Sequence, residues 1–426
     1  MSLSVTKLNT VLITPSEPTP SGHDLPLSFV DRLVFINSYI ETLHVFGEGK
    51  EPAKVIREAL AKALVPYYPV AGRIIAGSDG GERRVACTGE GVWFVEASAG
   101  CTLQDVGYFA SYPLMVADEQ LLPSPPPGIS KDGLPFMIQV TEFKCGGFTI
   151  GLRWSHVMFD GIGVGQFEMA IAEIARSGLK QPSLTPLWRR EAILSPPNPQ
   201  LGTQSVAPGI PYTAFEFEFC TVDISLDSIN KSKEQFTKET GEICSTFDVI
   251  TANLWRSRTR AIDMPSDTSV YVNFPANVRQ ALQNKGTLQE GSGYYGNCAY
   301  GIVVEAPSGK IATCSFSEIV MLIKEAKGRL TTKLSRWLEG DPHEFPLQVT
   351  PNYESIYLTD WRLLGSSKAD YGWGTPKHIV PCRIDSPVNV CVFLNSPALV
   401  RGVRVVTHFV VKEHLEAFRG EISKMA

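Results

Sequence analysis

The chain has 426 residues, 43% of them hydrophobic and 19% charged, a balance that excludes disorder and implies a packed globular protein. That length exceeds one ordinary core and predicts two domains of about 200 residues each. The formal net charge is -5 with no basic tract, which argues against nucleic acid as a partner.

The opening Met1-Ser2-Leu3-Ser4-Val5-Thr6-Lys7 lacks the apolar core of a secretory signal. No run approaches the roughly 20 apolar residues of a membrane span, and the chain does not end in a prenylation box. A soluble cytoplasmic protein with no membrane partner is expected. Residues 52–65 predict an amphipathic helix with Pro52 in its first turn, stopped by Pro66 and Pro69. A strand-like region follows from Ala71-Gly72-Arg73-Ile74-Ile75 through Arg84-Val85-Ala86-Cys87. The β-rich runs 136–143 and 148–155 flank Cys145-Gly146-Gly147 and predict a hairpin. Residues 164–176 predict a helix with Phe167, Ala170, Ile171 and Ile174 on one face.

Residues 180–214 are crowded with proline and predict a crossover between domains. Helices are expected at 225–239 and 246–261, the second capped by Ser245 or Thr246. Strands are expected at 269–274, 299–304, 355–359, 388–394 and 403–410, and further helices at 316–329 and 412–424. Both halves mix helices and strands, so the fold class is α/β (mixed). The domains are placed at 1–180 and 221–426, joined by a crossover at 181–220. No repeat is visible at the residue level.

The most informative stretch is Arg153-Trp154-Ser155-His156-Val157-Met158-Phe159-Asp160-Gly161. An imidazole, with an ordinary pKa of about 6.5, suits proton uptake near neutral pH. The preceding β-rich run carries His156 out of a sheet, and Gly161, Gly163 and Gly165 allow backbone conformations barred to other residues. Of the seven histidines only His156 has aspartate four residues on. The glycines lack the full dinucleotide fingerprint, and there is no phosphate-binding Gly-x-x-x-x-Gly-Lys-Ser/Thr and no Gly-x-Ser-x-Gly nucleophile elbow. No second histidine stands at metal-ligand spacing, so no metal is expected. The nine cysteines are scattered without Cys-x-x-Cys, which argues against disulfides and zinc. Downstream, Asp370-Tyr371-Gly372-Trp373-Gly374 predicts a tight turn of structural use.

His156-x-x-x-Asp160-Gly161 together with Asp370-Tyr371-Gly372-Trp373-Gly374 resembles the BAHD family of plant acyl-CoA-dependent acyltransferases. Tyr68-Pro69-Val70-Ala71-Gly72-Arg73, the lead-in Gln139 to Gly147, Asn277-Val278-Arg279 and Tyr295-Gly296-Asn297 resemble further family elements in the same order, across nearly the whole chain. The texture of Cys87 to Ala97 is similar to the branch with taxane acyltransferases and grass p-coumaroyl-CoA:monolignol transferases. Asp227 to Lys231 and Ser245 to Val249 are similar to the grass enzymes. Tyr371 stands where the family usually has phenylalanine. The neighbourhood Phe345-Pro346-Leu347-Gln348-Val349 lacks the arginine of shikimate-using members.

The resemblance implies two chloramphenicol-acetyltransferase-like domains with a channel between them. It implies that His156 acts as general base on an acceptor hydroxyl, which attacks an acyl-CoA thioester. Asp160 would pair with an arginine and fix the loop. Thr359 would stabilise the oxyanion, and Trp361 would shape the acceptor pocket. Lys238, Ser245 and Thr246 would bind CoA, a co-substrate in an enzyme with no permanent cofactor. Asp370, with Gly372, Trp373 and Gly374, would form a structural turn tied to Arg279. The implied reaction moves a hydroxycinnamoyl group, p-coumaroyl above all, to an alcohol such as a monolignol in plant specialised metabolism. The alternative is benzoyl or acetyl transfer to a terpenoid, small alcohol or amine. A monomer is expected.

Overall fold

A computed structural model describes residues 3–33, 36–77, 82–114, 118–192, 215–341, 343–344, 352–383, 389–397 and 402–425. Its strands, in chain order, include β1 (Val5–Ile13), β2 (Tyr39–Phe46), β3 (Val92–Ala99), β4 (Phe136–Glu142) and β5 (Phe148–Ser155). Then come β6 (Phe217–Ser225), β7 (Ser269–Asn277), β8 (Ala299–Pro307), β9 (Ser355–Asp360), β10 (His378–Pro381), β11 (Val390–Asn395) and β12 (Gly402–Val411). The longer helices are α1 (Pro52–Ala63), α2 (Gly161–Ser177), α3 (Leu226–Thr240), α4 (Thr246–Ile262), α5 (Phe316–Gly328) and α6 (Lys412–Ile422).

The chain divides into two compact units, and neither is contiguous. The first comprises Met1–Ser195, Leu282–Cys298 and Leu363–Arg383; the second comprises Pro196–Ala281, Ala299–Arg362 and Ile384–Ala426. The simple division at 181–220 therefore does not describe the units: two segments placed by sequence in the second domain belong to the first. Much of that expected crossover, residues 193–214, lies outside the described residues.

The first unit is built on a six-stranded sheet in the order β1-β3-β4-β5-β2-β10. Only β3 and β4 run parallel; the other pairs are antiparallel. All eight residues of β5 are buried. Phe148, Ile150, Leu152 and Trp154 alternate with Thr149, Gly151, Arg153 and Ser155 as in a half-exposed strand, yet burial covers both faces. The predicted hairpin forms, with Phe136 opposite Trp154 and Glu142 opposite Phe148. Helices α1 and α2 pack together in this unit. The apolar face expected of α2 is buried, with Phe167, Ala170, Ile171 and Ile174 each at most 5% exposed.

The second unit carries its own six-stranded sheet, in the order β6-β12-β11-β9-β7-β8. Its parallel pairs are β7 with β9 and β9 with β11. Its core gathers Ile250, Leu254 and Trp255 of α4, Ile319 and Ile323 of α5 and Phe418 of α6. Ser245 is the N-cap of α4, in a capping box with Asp248, and Ser315 caps α5 in the same way with Glu318.

Candidate active site

His156 leaves β5 directly into a turn, and Asp160 ends that turn as the N-cap of α2. The spacing of four is thus the length of a strand-to-helix connection. One oxygen of Asp160 accepts the Gly163 amide at 2.8 Å, as an N-cap should. The other accepts the Cys298 amide at 3.1 Å. Asp160 therefore fastens the helix start to the returning segment Leu282–Cys298. An arginine also holds this loop through its carbonyls. Fully buried Arg190 donates to the Val157 oxygen at 3.1 Å and to the Met158 oxygen, and pairs with Asp31 at 2.9 Å.

The glycines that follow serve a different purpose from the one their sequence suggested. Gly161, Gly163 and Gly165 lie in α2, and none has positive φ. They permit close approach. A Cβ on Gly163 would stand 1.9 Å from the Tyr295 carbonyl oxygen, and one on Gly165 would stand 2.6 Å from the Gly365 nitrogen. The helix consequently begins three residues earlier than its apolar periodicity predicts.

His156 itself is half-buried. Its amide donates to the Ser38 carbonyl at 2.9 Å, its carbonyl accepts from Asn297 Nδ2 at 2.7 Å, and its ring lies 5.7 Å from that of Trp154. Nδ1 is buried and has no hydrogen-bond partner among the described residues.

Asp370 closes its turn by accepting the amides of Gly372 at 2.8 Å and Gly374 at 2.9 Å. Those glycines have φ of +112° and +88°, which a side chain would resist. The Gly372 amide leads in holding the Asp370 carboxyl below its usual range. Its ion-pair partner is Arg176, at 3.4 Å, where Arg279 was expected. Arg279 bonds to the Asn277 side chain through both its amide and its guanidinium. Trp373 sets its ring edge-on to Phe148 at 5.6 Å, and Tyr371 is buried with its ring 5.7 Å from that of Phe46. The expected structural turn is present.

In the second unit, Thr359 lies near the end of β9, half-buried, paired with Val392. Trp361 follows and donates its amide to the Phe393 carbonyl at 2.9 Å. Lys238 is exposed in the last turn of α3. The helix start at Ser245 and Thr246 already holds an anion, because Asp248 accepts from the Ser245 amide at 2.8 Å and hydroxyl at 2.7 Å. Lys327 reaches Asp248 at 2.7 Å and Lys233 donates to the Thr246 hydroxyl at 2.9 Å, so two lysines that the sequence did not single out stand at the helix start. Residues 345–349, used against a shikimate acceptor, lie outside the described residues. Among the described residues no cluster of His, Cys, Asp and Glu could hold a metal, and no helix is long and apolar enough to cross a membrane.

Comparison with known proteins decides the class. The model described as "Transferase family" matches residues 3–425. A myricetin 3-O-glucosyl 1,2-rhamnoside 6'-O-caffeoyltransferase of Crocosmia x crocosmiiflora is 49% identical, over 99% of both chains. Acyl transferase 4 of Oryza sativa subsp. japonica is 43% identical over 99% of both. The chain belongs to the BAHD acyltransferase family. The crystal structure of vinorine synthase shares the fold of this acyltransferase, with a TM-score of 0.72 over 99% of this chain and 98% of that one at 19% identity. It is thus an acyl-CoA-dependent acyltransferase with acyl-CoA as co-substrate. Sequence reasoning missed Asp31 and Arg190 at the loop that carries His156. Each stands beside other charged residues, Asp31 before Arg32 and Arg190 between Arg189 and Glu191, and their partner Asn297 is distant in sequence, so nothing local marks them.

Proposed function

We propose that this BAHD acyltransferase moves a hydroxycinnamoyl group, p-coumaroyl or caffeoyl, from CoA to an alcohol hydroxyl, with His156 as general base. The observation that carries the base assignment is a half-buried imidazole on a turn secured from both sides, with Nδ1 enclosed. That leaves Nε2 to meet the acceptor. Nε2 takes the hydroxyl proton as the oxygen attacks the thioester carbonyl. The tetrahedral intermediate collapses by breaking the carbon–sulfur bond. The CoA sulfur leaves and receives the proton from the imidazolium, and a thiol pKa of about 8.5 makes that departure easy. No covalent acyl-enzyme is required. We assign Thr359 to the oxyanion, whose loss would cost about 10²–10³ in rate. We assign Trp361 to the acceptor pocket, and Lys238, Ser245 and Thr246 to CoA. Asp160 serves by fixing the loop. A monomer working in the cytosol fits this reading.

The donor class is supported by the caffeoyltransferase likeness at 49% identity. The acceptor in that relative's name is a flavonol glycoside, which favours a sugar hydroxyl beside the monolignol reading. Free-thiol release from p-coumaroyl-, caffeoyl-, benzoyl- and acetyl-CoA, with alcohol and amine acceptors, tests the proposal. Acceptor-dependent release that is fastest with hydroxycinnamoyl donors and absent in His156→Ala is expected. Faster benzoyl or acetyl transfer would overturn the donor class, and undiminished release by His156→Ala would overturn the base.

A further inference from the structure

Among the described residues no side chain holds Nδ1 of the His156 ring by a hydrogen bond, and Trp154 touches only its face or edge. For Nε2 to accept a proton, Nδ1 must carry the other hydrogen. A buried carboxylate or carbonyl on Nδ1 is the common way to aim such a ring. Here Nδ1 is buried and unbonded. Asp160, four residues on, directs its oxygens to the amides of Gly163 and Cys298. The orientation of the base must come from elsewhere.

The main chain supplies it. Asn297 is 2% exposed, and its Nδ2 donates both to the His156 carbonyl and to Asp31 Oδ1, each at 2.7 Å. Asp31 is fully buried and also accepts the Asn297 amide at 3.3 Å, the Ser28 amide at 2.8 Å and the Arg190 guanidinium at 2.9 Å. Arg190 in turn donates to the Val157 and Met158 carbonyls. Three successive carbonyls, of His156, Val157 and Met158, are therefore gripped by one cluster of Asn297, Asp31 and Arg190. Removing one member leaves buried charges or donors without partners, so the cluster resists distortion.

We propose that Asn297 is a positioning residue for the base, fixing the peptide plane of His156 against the buried Asp31–Arg190 pair and so aiming an imidazole whose Nδ1 no described side chain holds by a hydrogen bond. This rests on the reading of His156 as base. Its consequence is kinetic: a misplacement of about 1 Å can cost 10²-fold in rate while leaving substrate binding intact.

The test compares Asn297→Ala and Asn297→Ser with a stability control, Ile323→Ala, in the core of the second unit. Measurements are kcat, KM for the acyl-CoA, melting temperature and the imidazole NMR signal of His156, assigned by its absence in His156→Ala. Asn297→Ala is expected to lower kcat about 10²-fold with KM changed less than about twofold, and to shift or broaden the His156 signal. Asn297→Ser retains one hydroxyl donor and should show the same changes at smaller size, which keeps the test open if the alanine variant does not fold. Ile323→Ala should lose melting temperature with kcat and the His156 signal unmoved. Wild-type kcat in both Asn297 variants, an unmoved His156 signal, or a kcat loss equalled by Ile323→Ala would overturn the proposal. Turnover retained by His156→Ala would instead overturn the base assignment itself.

Discussion

Glu168 of α2 and His44 of β2 face each other in the interior of the first unit, both about 2% exposed or less. His44 Nδ1 lies 3.2 Å from Glu168 Oε2, close but without hydrogen-bond alignment. Ser366 donates to the other Glu168 oxygen at 2.9 Å, Thr42 Oγ1 stands 3.1 Å from His44 Nε2, and Tyr371, buried and pushed up in pKa, adds no charge. Burial pushes Glu168 from 4.5 up to about 8 and His44 from 6.5 down to about 3, so both are neutral near pH 6. Glu168 binds its proton more tightly folded than unfolded, so its contribution falls as pH rises from 4.5 toward 8. His44 holds its proton less tightly when folded, so its contribution falls as pH drops from 6.5 toward 3. Between 4.5 and 6.5 the two slopes cancel. From 6.5 to 8 only Glu168 acts, and stability should fall by on the order of 2 kcal/mol. Glu168→Gln should abolish that fall. Urea unfolding at pH 6.5 and pH 8 checks it: equal losses in wild type and variant would show that the slope arises elsewhere.

At the scale of elements, the start of α2 is fitted to its neighbours by the absence of side chains. Gly163 abuts backbone, since a Cβ there would stand 1.9 Å from the Tyr295 oxygen. Gly161 abuts only the flexible end of Leu364, at 2.7 Å. Gly163→Ala must therefore push the helix start away from the segment that holds Asp160 and His156, whereas Gly161→Ala can be absorbed by one rotamer change. Overpacking of the first kind costs about 1–3 kcal/mol or more. Melting temperature and thiol release should both fall steeply in Gly163→Ala and little in Gly161→Ala; equal behaviour of the two would refute this account of the glycines. The sequence showed that glycines cluster there and suggested a loop, because a contact with Tyr295, over 130 residues away, leaves no local trace. β2 was hidden for a related reason. Its residues Glu41 and His44 break the apolar pattern of Tyr39–Phe46, and only the fold reveals that Arg153 and Glu168 meet them. By contrast β5, α4 and α5 were legible, because the alternation of a strand or a capping serine is written in adjacent residues.

Across the whole molecule, two six-stranded mixed sheets occur without any repeat in sequence, and the chain returns twice to its first unit. The first return brings Asn297 to His156 and Asp31, and the Cys298 amide to Asp160. The second brings β10 to the edge of β2, Ser366 to Glu168 and Asp370 to Arg176. These contacts were not legible from the sequence, which marked one proline-rich change of character and suggested one boundary. They imply that residues 1–195 do not amount to a domain. Without the returns, β2 loses its outer neighbour and exposes an unpaired edge. Asp31 and Arg190 lose Asn297, and Asp160 loses one of its amides. Each deficit leaves a buried polar group short of a partner at about 1–3 kcal/mol, and their sum is comparable to the 5–15 kcal/mol by which domains are ordinarily stable. A fragment of residues 1–195 should therefore lack a cooperative thermal transition and near-ultraviolet circular dichroism. A fragment that melted in one sharp step, at the temperature of the full chain, would show that the returning segments decorate a domain already complete.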